Sequence, residues 1–79
     1  PQPGVAEIER LIRMTLSGMK VGPRIPWQDL SGAFVGLSAA QVVKVAQSAA
    51  KSVVLASQKT VEEQHFRDAL AKARTGPTA

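Results

Sequence analysis

Apolar residues recur at three- and four-residue spacing in four stretches of the chain, and turn-forming residues divide them. In the first, Val5, Ile8, Leu11, Ile12, Leu16 and Met19 fall on one side of a helical wheel, with Glu7, Glu9, Arg10 and Arg13 pointing away. Glu9 and Arg13 stand in the favourable i,i+4 order. This pattern predicts a helix over 5–18, weakened by Gly18 and stopped by Gly22-Pro23. Pro1-Gln2-Pro3-Gly4 resists helix and reads as a linker over 1–4. After a connector at 20–25, Trp27, Leu30, Ala33 and Phe34 form a shorter stripe, predicting a helix over 26–34. Pro26 sits in its first turn, where the missing N–H costs nothing, and Asp29 suits the macrodipole.

The third stretch is the longest and is predicted to be helical over 38–57. Gly36 ends the preceding element. Ser38 and Gln41 form Ser-x-x-Gln, a capping box in which each satisfies the other's free backbone N–H. Val42, Val45, Ala46, Ala49, Ala50, Val53 and Ala56 share one face, and the alanines let neighbouring helices approach closely. This marks it as the central helix. Leu55 falls on the polar side with Lys44, Gln47, Ser48 and Lys51. The fourth helix is expected over 61–74, opened by a second capping box at Thr60–Glu63 and carrying Val61, Phe66, Ala69, Leu70 and Ala73 on its apolar face. Residues 75–79 read as a terminator and flexible tail. The expected fold class is all-α, with four helices in one domain over 5–74.

Composition narrows the functional classes. Seventy-nine residues leave room for a single modest core. Aromatic content of 4% means that Val, Leu, Ile and Ala must fill it, with Trp27 the largest available anchor. The absence of cysteine excludes disulfides and thiolate metal sites, and it suits a reducing, cytoplasmic setting. No apolar run is long enough to span a membrane. The net charge of +4 is spread singly along the chain rather than gathered into a patch, so nucleic acid is not the expected partner. Beginning at Pro1 rather than Met, the chain reads as a piece of a longer protein.

Catalytic constellations are nearly missing. His65 is the sole histidine and reads as a surface or cap-adjacent residue. Glu62 and Glu63 diverge on a helix, which argues against paired-carboxylate catalysis. Neither Gly-rich phosphate motif occurs, and no base is placed to activate a serine. The chain is not expected to be an enzyme on its own, and no metal site is expected.

The order of landmarks nevertheless carries a likeness. Met19-Lys20-Val21 follows the first helix, then come Trp27 and Leu30. Gly36-Leu37-Ser38-Ala39-Ala40-Gln41-Val42 opens the long helix, and Val61, Phe66, Ala69 and Leu70 mark the last. This resembles the small C-terminal helical lid of AAA-type ATPases over about residues 5–74. The resemblance implies that Gly36, Ser38, Ala39 and Ala40 approach the adenine and ribose of ATP or ADP. Thr15 occupies the position where many members carry a base-contacting histidine. Two departures bear on this. Ala39 stands where the family has glycine, and Gln41 where it has aspartate. No arginine lies between Leu37 and Val54 to reach a terminal phosphate. The implied parent supplies a large ATPase domain with its magnesium site. Implied partners are that domain, neighbouring subunits of a homo-oligomeric ring, and a protein substrate to be remodelled. The alternatives are a small DNA-binding module, with Lys44 and Lys51 toward phosphates, and an adaptor docking through the Leu55 side.

Overall fold

A computed structural model describes residues 2–75. It is mostly helical, and the expected all-α architecture holds. The helices are α1 (Val5–Thr15), α2 (Trp27–Ala33), α3 (Ala39–Leu55) and α4 (Glu63–Thr75). Two short strands, β1 (Lys20–Val21) and β2 (Thr60–Val61), lie between them. The Gly76–Ala79 part of the expected tail lies outside the described residues, as does Pro1; Thr75 closes α4.

The core is built on α3. Val42, Val45, Ala46, Ala49 and Val53 are buried along it, with α1 and α4 packed against it and α2 bridging α1 and α4. Ile8, Ile12 and Leu16 contribute from α1, and Phe66, Ala69 and Leu70 from α4. Each large aliphatic side chain buried this way is worth about 1.5–3 kcal/mol. The two phenylalanines, Phe34 and Phe66, are the largest fully buried side chains. Trp27 is only half-buried, so the expected central anchor sits at the core's margin. Its ring lies 6.2 Å from that of Phe66 at 58°. The Arg13 guanidinium covers it at 4.5 Å while also bonding Glu9 at 2.9 Å.

The strands correct the sequence reading in two places. Residues 20–21 are not plain connector, and Thr60-Val61 does not open α4. Instead β1 and β2 pair in parallel, Lys20 opposite Thr60 and Val21 opposite Val61. The Gly22 N–H extends the ladder to the Val61 carbonyl at 2.8 Å. A Cβ at Gly22 would meet only the end of the exposed Glu62 side chain, which can move aside. The physical reason for the correction is burial. Val61 is fully enclosed, and an apolar side chain plus ladder hydrogen bonds outweigh a Thr60 cap worth about 1 kcal/mol.

With Thr60 in the strand, α4 is opened differently. The Glu62 N–H donates to His65 Nδ1 at 2.9 Å, and the His65 N–H donates to the Glu62 carbonyl at 3.1 Å. Because Nδ1 accepts, Nε2 carries the proton and donates to Gln58 Oε1 at 2.9 Å. His65 is therefore the capping residue, in keeping with its cap-adjacent reading, and it ties the start of α4 to the segment leaving α3. That segment is a Schellman motif: Gln58 N–H bonds the Val53 carbonyl at 2.9 Å and Ser57 N–H bonds Val54 at 3.0 Å. The motif requires Ser57 to adopt φ 59°, in the left-handed region.

Candidate functional site

The corner between α2 and α3 forms where Gly36 takes φ +103°, a conformation that disfavours any side chain. The turn is closed locally by Val35 N–H to the Gly32 carbonyl (3.2 Å) and Leu37 N–H to that of Phe34 (3.2 Å). Two distant residues then clamp it. Gln2 donates its side-chain amide to the Gly36 carbonyl at 2.9 Å. Arg74, from the last turn of α4, donates to the Ala33 carbonyl at 2.8 Å and the Val35 carbonyl at 3.4 Å. The guanidinium thus occupies the Ala33 carbonyl that α2 leaves free at its C-terminus, and the Val35 carbonyl in the turn beyond it.

Ser38 follows with the capping box formed as expected. Gln41 N–H donates to Ser38 Oγ at 3.2 Å, and Ser38 N–H donates to Gln41 Oε1 at 2.9 Å. Gln41 therefore performs the reciprocal role that a carboxylate fills in the common form of the motif. Ala39 and Ala40 are exposed, not drawn into the core. Their methyl groups, with Val43 and the stems of Gln41, Lys44 and Gln47, line a shallow depression of about 460 Å³. Because Gln41 N–H is taken by Ser38, the two preceding amides are the ones α3 presents outward at its positive end.

The structure thus brings Gly36, Ser38, Ala39 and Ala40 together at one exposed corner. Thr15 does not join them through any hydrogen bond. Its hydroxyl donates to the Leu11 carbonyl within α1 at 2.8 Å, and the side chain is half-buried. The side chain that reaches the corner from the N-terminal part of the chain is Gln2. From the sequence Gln2 reads only as part of the linker, and Arg74 as a solvent-facing residue suited to the dipole at the end of α4. The bonds they make span 34 and 41 residues, and no local pattern announces such contacts.

Elsewhere the chemistry is sparse. Among the described residues no group of three or more His, Cys, Asp or Glu side chains is placed to hold a metal ion. Two ion pairs occur among them, Arg13–Glu9 and Arg67–Glu63, both i,i+4 pairs along one helix and both partly exposed, so each contributes little. No helix among the described residues is long and apolar enough to cross a membrane.

These features define a small all-α domain whose most constructed surface feature is a clamped helix start. No protein-family model matches the sequence, and comparison with curated proteins gives no match.

Proposed function

We propose that the chain is the C-terminal helical lid of an AAA-type ATPase, a domain that contacts nucleotide held by a larger ATPase domain and relays its state to neighbouring subunits. The observation that carries this reading is the Gly36–Gln41 corner. A lid of this kind needs a rigid helix start whose first residues are small, exposed and concave. Here Ala39 and Ala40 meet that need on a turn fixed from two sides by Gln2 and Arg74. Within this reading the domain moves as one body, because α3 is at once the core's central helix and the element presenting the corner. Magnesium and the hydrolytic groups belong to the large domain, and the chain alone performs no reaction. The ring of subunits and the protein substrate stand or fall with this assignment.

The Ala39 methyl sets the expected affinity. Where the family's glycine lets backbone approach the base, a Cβ holds it off. Ala39→Gly in the full-length protein is expected to tighten ADP binding severalfold, whereas Ala39→Leu weakens it at least tenfold. Neither change alters the lid's stability by much, because the position is exposed. Titration with a fluorescent ADP analogue reads both. Equal affinity across the three proteins, or a parent lacking a phosphate loop in the preceding ~150–200 residues, refutes the assignment.

A further inference from the structure

A second surface adjoins that corner, and its reading does not rest on the corner's proposed role. Along the outer seam of α3 and α4 runs an open furrow where small side chains leave the helices unfilled. In its middle section, about 320 Å³, Lys44 and Ser48 of α3 lie across from Lys72 and Ala73 of α4, over Val45 and Ala69. The next section adds Lys51 from α3 and Asp68 from α4, and ends at Leu55. Leu55 is 75% exposed and its neighbour Val54 62%. Lys44 and Lys51 are seven residues apart on one face, two turns or about 10.5 Å. Lys72 stands on the opposite rim of both sections.

Three lysines therefore edge one apolar furrow, and none of them belongs to either ion pair found among the described residues. The single acid on the rim, Asp68, accepts from the Gln64 amide at 2.8 Å. From this arrangement we infer that the α3–α4 furrow is a docking site for an acidic amphipathic helix of a partner protein. Such a helix lays its apolar stripe over Val45, Ala69 and Ala73 toward Leu55 while its carboxylates meet lysines on both rims. The complementarity is of charge and of shape. Cations on both sides fix the ligand's sign, and the small residues at Ser48, Ala69 and Ala73 provide the depth an inserted leucine needs. The 17 residues of α3 give a seam of roughly 25 Å. A nucleic-acid backbone fits less well. It would use the lysines but leave the apolar floor and Leu55 unmatched, place Asp68 against phosphate, and find no arginine or aromatic side chain on α3 to read bases.

The test uses a labelled synthetic helix of about 18 residues, with leucines on one face flanked by glutamates. Its counterpart carries lysines in place of the glutamates, and a short DNA duplex serves as the nucleic-acid probe. All three are titrated at about 50 mM salt. The acidic helix is expected to bind, with amide shifts confined to Lys44–Leu55 and Asp68–Ala73. The K44E/K51E/K72E protein is expected to lose at least tenfold in affinity. The control K20E/K59E protein, altered in β1 and just before β2, should stay within twofold of the unaltered chain. Ser48→Trp fills the furrow without changing charge and should weaken binding comparably, which separates blocked docking from a fold damaged by charge reversal. The inference is overturned if the basic helix binds equally well, if the duplex binds and the acidic helix does not, if no probe binds, or if the triple reversal is without effect.

Discussion

Ser57 is a non-glycine residue held at φ 59° on the exposed surface, immediately after α3. The Schellman closure leaves no alternative. Gln58 N–H must reach back to Val53 and Ser57 N–H to Val54, and both bonds are of normal length. An L-side chain in this region costs roughly 1–2 kcal/mol, which glycine avoids. Glycine in turn loses about 0.5–1 kcal/mol more backbone entropy on folding. Ser57→Gly is therefore expected to stabilise the chain by about 0.5–1 kcal/mol. For a domain of this size that raises Tm by roughly 2–8 °C. Thermal unfolding followed by circular dichroism reads the shift. Urea unfolding should show a higher midpoint at unchanged slope, because the native fold and the surface exposed are the same. Ser57→Ala supplies the control: it keeps the left-handed strain and should not stabilise. A midpoint for Ser57→Gly at or below that of the unaltered chain, or an equal rise with alanine, would show that the left-handed turn is not the source of strain.

Two further substitutions probe other points where the backbone or the core carries a cost. Ser31 is fully buried in α2 and its hydroxyl has no hydrogen-bond partner. Ser31→Ala removes a desolvated polar atom and gains helix propensity, so it should stabilise by about 0.5–1.5 kcal/mol. Loss of stability in urea unfolding would mean that the hydroxyl is satisfied. Gly36→Ala reverses the logic of Ser57. A Cβ there meets nothing within 4 Å, so only backbone strain is at stake, and φ +103° imposes it. The expected loss is about 1–2 kcal/mol, or roughly 5–15 °C in Tm, and an unchanged Tm refutes it.

What could be read from the sequence followed the range of the interactions. The faces of α1, α3 and α4 were legible because burial repeats every three or four residues, and Ile8, Ile12, Val42, Val45 and Phe66 lie where that spacing put them. The Ser38–Gln41 box was legible for the same reason, since both partners lie within one turn. The β1–β2 pair was not. Two-residue strands have no period, and Thr60-Val61-Glu62-Glu63 is an equally good capping sequence until Val21 arrives from 40 residues away. Size misled at Trp27, because an indole that receives Arg13 on its face remains at the edge while the smaller Phe34 and Phe66 fill the centre. Ser57 gave no glycine to signal its turn. Exposure of Leu55 was expected from its place on the polar side of α3, yet only the structure shows that Val54 is exposed beside it.

The corner and the furrow meet at Lys44. This residue borders the depression beside Ala39 and Ala40 and also the furrow section shared with Lys72. Gln41, whose side chain closes the cap, borders the furrow's upper end beside Leu37 and Ala73. If the corner takes a nucleotide and the furrow an acidic helix, as proposed, negative charge at the corner and a carboxylate in the furrow would compete for the same ammonium group. Their mutual effect would then be unfavourable and, by linkage, equal in both directions. A change of shape is not required to carry it. Five buried residues hold α3 in the core, and Gln2 and Arg74 hold the turn before it, so the shared element is a rigid one. Electrostatic coupling of this kind weakens as salt is raised, whereas coupling through a conformational switch does not follow the Debye length. The salt dependence of the two affinities, measured together, thus distinguishes competition at Lys44 from motion of α3.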